Sequence, residues 1–284
     1  MKTYFSVKKY KMKHSNLNID ELQVLFREVG LHNPKGDIYK ERTRKYAQLF
    51  SYIIQLESAL KKLTTKRPVV LVDCGCGKSY LSFLLYEYCK RVLKRKVKII
   101  GIDHNYDIIE KCKGIAEKLN YKYMSFYDKP IKSLPVDRSV DIVYSLHACD
   151  TATDQTIAQG IILNAKYIFS VSCCQHTNRS KFRSKILRSV SRSQPYKERL
   201  VDMIGDTMRG LLLEYLGYAV KLFEFVAAEH TPKNIVLRAI NNAVKKQDRV
   251  IALDRYQELV ETFHFKPALE ALISHYLQAN QDSM

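Results

Sequence analysis

Residues 73–79 read Asp-Cys-Gly-Cys-Gly-Lys-Ser and follow directly on the apolar run Val69-Val-Leu-Val72. A carboxylate at the end of a β-type run, then Gly75 and Gly77, lets backbone come close to a nucleotide-like ligand. Residues 80–93 have helical character, so strand, glycine turn and helix follow in order. The details choose among ligands. Gly77-Lys78-Ser79 has the ending of a phosphate-binding loop, but that loop needs a glycine at position 72, which is Val. A dinucleotide turn needs a third glycine at position 80, which is Tyr. Its pyrophosphate would also meet the Asp73 carboxylate, at a Coulomb cost of about 1–4 kcal/mol. S-adenosylmethionine (SAM) has no phosphate, and its ammonium and sulfonium both suit a carboxylate. The turn is therefore expected to hold SAM through Asp73, Cys74, Gly75 and Gly77.

A second set of reactive side chains lies further along. His147, Cys149 and Asp150 follow one β-run; Cys173, Cys174 and His176 follow another. Three chemistries fit these residue types. Cys173 or Cys174 could add covalently to a pyrimidine ring before methyl transfer to carbon 5. His147 or Asp150 could remove or orient a proton on a hydroxyl or other heteroatom. Packing is the third, since free cysteine is among the most buried residue types. Adjacent cysteines match metal-site spacing poorly, so no metal is expected.

These residues need strands to bring them together, and the chain supplies them. Val97–Ile102 is a β-run ending at Asp103, a carboxylate placed for ribose hydroxyls, with His104 beside it. Tyr121–Tyr127 is a third run. It places Phe126 for an adenine face and Asp128 for the adenine amine, although Asp128 also reads as a turn residue before Lys129-Pro130. Asp141–Leu146 is the fourth, bringing Leu146 and His147 to the pocket, and Tyr167–Ser172 is the fifth. A helix is expected over 153–164. Strands alternating with helices describe an open parallel α/β sheet that binds ligands at the carboxyl ends of its strands. The runs at 217–226 and 234–240 are joined too tightly for a parallel crossover and should form an antiparallel hairpin.

On these strings, residues 67–242 resemble a class I SAM-dependent methyltransferase: a Rossmann-like, mostly parallel sheet with an antiparallel last strand. Asp73–Ser82, Ser145-Leu-His-Ala-Cys-Asp150 and the Cys-Cys after strand five are similar to the methyltransferase-like 25 type. They are also similar to tRNA 2′-O-methyltransferases of the acceptor stem. Val171-Ser-Cys173 is similar to the RNA uracil-5 type. The resemblance implies transfer of a methyl group from SAM. An Asp/Asn-Pro-Pro-aromatic segment is missing after strand four, which argues against amino-group methylation of adenine or cytosine. The expected organisation is an N-terminal helical region (1–66), a SAM-binding domain (67–243) with a basic insert (179–199), and a C-terminal helical extension (244–284).

Charge points to the partner. The 284 residues carry 47 Lys+Arg against 29 Asp+Glu, a formal net charge of +18. That balance favours a polyanion, and RNA is the expected acceptor. The alternatives are a protein or small-molecule acceptor, or a binding module without catalysis. Residues 179–199 hold eight basic residues and the single acid Glu198, and are expected to overhang the site as a lid or phosphate-tracking arm. Lys35, Lys40, Arg42, Arg44 and Lys45 form a second basic group. Helices are expected at 20–29 and from an N-cap at Asp37 through Lys62, the second packing its apolar face on the core. Further helices are expected over 248–281, broken near Pro267. Seven cysteines, an odd number, suit a reducing compartment, and the absence of an apolar leader or long apolar run points to the cytoplasm.

Overall fold

Seven β-runs join in one sheet of order β3-β2-β1-β4-β5-β7-β6. The computed structural model describes residues 22–282 apart from 34, 37, 38, 40, 41, 135–138 and 243. Strands β1 (Val69–Cys74), β2 (Val97–Asp103), β3 (Met124–Asp128), β4 (Ile142–Ala148) and β5 (Tyr167–Ser172) run parallel. β6 (Tyr218–Glu224) and β7 (Ile235–Asn241) form the expected antiparallel hairpin. β7 is the reversed strand and lies between β5 and β6. Every β1 residue is buried, as a strand covered on both faces must be.

The order of the sheet reverses beside β1. β1 leads outward to β2, and β4 returns on its other side. The carboxyl ends of β1, β2 and β4 therefore open on a common crevice at the switch point.

One face of the sheet packs on α1 (Gln23–Glu28), α2 (Thr43–Leu60), α3 (Tyr80–Arg91) and α4 (Tyr106–Lys118). α2 presents Leu49, Phe50, Ile53, Leu56 and Leu60 at helical spacing, and they join one core with β1, α3 and β4. The expected starts of the first two helices, Asp20 and Asp37, lie outside the described residues, as does Lys40. The opposite face carries α5 (Thr151–Ile162) and α8 (Gln194–Tyr215), with α6 (His176–Lys181) and α7 (Arg188–Ser191) on the way to α8. α9 (Lys246–Phe263), α10 (Ala268–Leu272) and α11 (Ser274–Asp282) close that side, and Pro267 stands at the break between α9 and α10. Among the described residues, no helix is long and apolar enough to cross a membrane.

Candidate active site

The β1–α3 turn is built from left-handed backbone. Gly75 (φ 67°), Gly77 (φ 49°) and Ser79 (φ 53°) bend the chain from strand into helix. Only glycine takes such angles without strain, which explains the two glycines. Backbone N–H groups of Gly75 and Cys76 bond the Ile102 carbonyl, and the Gly77 N–H donates to Asp103 Oδ2 at 2.9 Å. Asp103 Oδ1 accepts from the Asn105 N–H at 3.0 Å, and Asn105 caps α4 through Ile108. One carboxylate thus ties the glycine turn to the next helix.

The crevice has two lobes that share Gly75 and His147. The outer lobe, about 380 Å³, is bounded by Asp103, His104, Pro130, Ile131, Ala148 and Cys149, among others. The inner lobe, about 270 Å³, has Asp73, Gly77, Leu146 and three side chains the sequence did not single out for it: Lys45, Leu49 and Tyr80. Lys45 is in the basic group noted above, but only the fold shows that α2 lies over the glycine turn.

Asp73 is buried and accepts from Ser82 Oγ at 2.5 Å, and Ser82 in turn contacts Tyr144 Oη at 2.6 Å. Burial pushes the Asp73 carboxyl up to about 7; the Ser82 bond opposes this, Asp103 adds to it and Lys45 opposes it. The carboxyl is short of positive charge, and a cation brought beside it would favour its ionised form.

His147 sits at φ 64°, where the β4–β5 register shifts between Leu146 and Ala148. Its Nε2 lies 3.2 Å from Gln48 Oε1, and its Nδ1 is buried with no hydrogen-bond partner among the described residues. Burial, then Lys45, lowers its pKa to about 4, so the ring is neutral at pH 7.

Four expected site residues are placed elsewhere. Phe126 faces the helices, not the crevice: its ring packs 5.5 Å from Phe83 and lies over Gly101, where a Cβ would come within 2.6 Å of it. Cys74 is buried in the core of the opposite sheet face. Asp128 ends β3 exposed, in register with Asp103, and does not line either lobe. The Asp150 carboxylate is taken by the Thr177 N–H (3.1 Å) and Oγ1 (2.6 Å), pinning α6 to the end of β4. The apolar wall of the outer lobe comes instead from Pro130 and Ile131, after β3.

Cys149, Cys173 and Cys174, all free thiols, gather where β4 and β5 end, Cys149 close enough to the other two for each to influence it. Burial pushes the Cys149 and Cys174 thiols up, away from thiolate. Among the described residues, no group of three His, Cys, Asp or Glu could hold a metal ion. The loop after β5 rests on a buried network. Arg209 clasps Asp154 through Nε (2.8 Å) and Nη2 (2.9 Å) and reaches Asp206 at 3.0 Å. Asp206 accepts from Ser172 Oγ and Gln175 Nε2.

Comparison with known proteins agrees with this geometry. Residues 44–181 match a family profile described as a methyltransferase domain. Over that span, just under half of the chain, the sequence is similar to a methyltransferase domain. The matched span begins inside α2, so it includes Lys45 and Gln48. No curated protein sequence matches the chain. Among solved structures the domain is similar to a SAM-dependent methyltransferase from Aquifex aeolicus (16% identity, 78% of this chain and 97% of that one, TM-score 0.41). It is also similar to magnesium protoporphyrin IX methyltransferase from Synechocystis with bound S-adenosylhomocysteine (14%, 78% and 94%, TM-score 0.46). A third is an rRNA methylase from Streptococcus thermophilus (9%, 66% and 95%, TM-score 0.40). SAM is the methyl donor that the sequence motifs imply for such a domain. The residues present fit it: a buried, cation-seeking Asp73, a glycine turn free of side chains, and Asp103 at the mouth of a second lobe.

Proposed function

We propose that this methyltransferase domain acts on RNA, with a ribose hydroxyl or another heteroatom as acceptor. Bound SAM supplies an electrophilic methyl group on a sulfonium centre. Asp73 meets the ammonium end in the inner lobe. Gly75 and Gly77 let backbone approach the middle of the donor. Asp103 accepts from the ribose, and Pro130 and Ile131 cover the base in the outer lobe. His147 stands at the junction of the lobes as a neutral ring that shapes the place of transfer.

The observation that carries the RNA reading is the exposed basic segment leaving β5. Lys181, Arg183, Lys185, Arg188, Arg192 and Arg199 are all exposed there, and Asp150 pins the start of the segment beside the crevice. Phe182 anchors it by stacking on Phe263 at 5.7 Å. Tyr196, 55% exposed among these charges, offers a ring for an unpaired base. The similarity of the motif strings to tRNA 2′-O-methyltransferases supports the hydroxyl acceptor.

The test is to incubate the protein with methyl-labelled SAM and total cellular RNA beside total cellular protein. Label in ribonuclease-sensitive material is the expected result. Label confined to protein, or to small molecules, overturns the RNA acceptor. Loss of all labelling in Cys173→Ser, with trapping of RNA on the parent protein, would replace the heteroatom acceptor with a pyrimidine carbon.

A further inference from the structure

Three free thiols meet where β4 and β5 leave the sheet: Cys149, exposed, and Cys173 and Cys174, both half-buried. Methyl transfer to a heteroatom needs none of them. β4 and β5 are adjacent parallel strands with Ala148 opposite Ser172, and Cys149 and Cys173 are the next residue on each. The two chains stay together beyond the strands: the Asp150 N–H donates to the Cys174 carbonyl at 2.9 Å, and Asp150 holds Thr177. Neighbouring strands run about 4.8 Å apart, inside the Cα separation of about 4.4–6.8 Å that a disulfide spans. Cys149 is close enough to both other thiols for each to act on it. Cys173 and Cys174 do not suit one another, because consecutive Cα atoms are only about 3.8 Å apart.

Charge separates the two partners open to Cys149. Lys45, half-buried on α2, lies close enough to Cys173 for charge on one to act on the other, and Asp73 and Arg42 act on Lys45 as well. A sulfur anion formed at Cys173 therefore has a cation beside it, the setting in which a thiol attacks. Burial, then Cys149, raises the Cys174 thiol, and no cation is among the groups that act on it. Burial raises the Cys149 thiol too, so Cys149 follows and does not lead.

We propose that Cys149 and Cys173 are a peroxide-sensitive pair that closes to a reversible disulfide at the mouth of the crevice. The Cys173 thiolate attacks one peroxide oxygen; the O–O bond breaks, and hydroxide leaves and takes a proton as water. Cys149 then attacks the Cys173 sulfenic acid. The S–S bond forms, the S–O bond breaks, and the Cys149 proton leaves with the hydroxide as a second water. Two thiols are oxidised by two electrons in all, and one peroxide is reduced. Cys149 is part of the wall of the outer lobe, and Cys173 lies toward Lys45, which borders the inner one. A bond between them crosses beside the junction of the lobes, where His147 stands, and narrows the way in for an acceptor. In a reducing compartment such a bond is transient, as a switch requires.

The first measurement needs neither donor nor acceptor. The full chain is treated with hydrogen peroxide, its remaining thiols are capped with an alkylating agent, and its peptides are mapped by mass spectrometry before and after dithiothreitol. The expected result is a bond within one molecule between Cys149 and Cys173. Two of the seven cysteines should escape capping, and dithiothreitol should return both. Cys174→Ser should still form the bond, and Cys149→Ser should not. Where Cys149→Ser does not fold, Cys149→Ala serves the same comparison. A bond from Cys149 to Cys174 in the parent protein, its loss in Cys174→Ser, or oxidation of single cysteines with no bond overturns the pair. The second measurement is transfer of label from SAM. It should fall by about 10²-fold in the bonded protein, the scale of an acceptor displaced by about 1 Å, and return with dithiothreitol. A bonded protein that transfers methyl groups at the full rate overturns the switch. Absence of transfer by the reduced parent overturns the proposed activity, and the peptide map still decides the bond.

Discussion

Gln48 fixes the tautomer of His147. The Gln48 amide nitrogen donates to the His230 carbonyl at 2.9 Å, so its Oε1 is the atom turned toward His147 Nε2, 3.2 Å away. An amide oxygen only accepts, so Nε2 carries the proton and Nδ1 the lone pair. Nitrogen NMR of the labelled protein at pH 6–7 should show a neutral ring protonated on Nε2. A ring protonated at pH 6, or on Nδ1, would break this account. Gln48→Glu should raise the His147 pKa by more than one unit, because a carboxylate replaces the amide.

Asp73, buried, and His147, half-buried, make stability depend on pH in opposite senses. His147 titrates near 4 in the fold against 6.5 in the open chain, so its contribution is complete above 6.5 and is lost as pH falls through 4. Asp73 titrates near 7 against 3.8, so its contribution is complete below 3.8 and is lost as pH rises through 7. Urea unfolding between pH 4 and 7 should therefore separate two variants. The stability difference between wild type and Asp73→Asn should fall with rising pH, and that between wild type and His147→Asn should rise. Each change should total about 3 kcal/mol at most. Parallel profiles would show that one of the two environments is wrong.

Asp150 is expected to matter for architecture more than for proton transfer. Its φ of 50° and its two bonds to Thr177 hold the start of α6. Asp150→Asn should leave SAM affinity within about twofold, increase proteolytic cutting in 179–199, and lower turnover less than tenfold at saturating RNA. Loss of the group that takes the proton would cost about 10²–10⁴ in rate. A fall of that size, with donor affinity intact, would return Asp150 to the reacting centre.

Most of this fold was legible because its signals are local. Short β-type runs bounded by turns gave every strand within a few positions, and the short 227–234 link could only make a hairpin. Asp73, Gly75, Gly77 and Asp103 were legible for the same reason: backbone conformation and strand ends write themselves into residue type. What stayed hidden depends on the facing of side chains between distant segments. Phe126 reads as a ring at a strand end, yet its register with Gly101 turns it under α3. Asp150 reads as a free acid until Thr177, 27 positions on, is brought against it. Lys45 and Gln48 lie on a helix whose amphipathic pattern says that it packs, and says nothing of where its edge comes to rest.

The network around Arg209 should hold the loop after β5 in place, and its removal should be costly. Arg209 is 1% exposed, and its guanidinium spans Asp154 and Asp206, both buried. Arg209→Met leaves two buried carboxylates without their cation and should cost about 3–5 kcal/mol in urea unfolding. Replacing Arg209, Asp154 and Asp206 together by apolar residues of similar size should recover much of that loss, because no charge is then stranded. Recovery of stability without recovery of activity is expected, since Asp206 also holds Ser172 and Gln175 beneath Cys173 and Cys174. A single variant as stable as the parent would mean that water reaches this network.

RNA affinity should depend on salt through the segment after β5. For single strands, log K falls with log salt by about 0.7 for each phosphate neutralised. Arg188 and Arg192 are exposed on and just after α7, and neither has a protein partner among the described ion pairs. Arg188→Ala with Arg192→Ala should weaken RNA binding at 0.1 M salt and reduce the slope by about 1.4, two contacts' worth. Arg179→Ala is the control for charge alone: it removes a cation already paired with Glu198, so the slope should change less. SAM affinity should be untouched in all three, because none of these residues lines either lobe. A slope unchanged by the double substitution would move the RNA path to another face of the domain, and binding insensitive to salt would remove RNA as the acceptor.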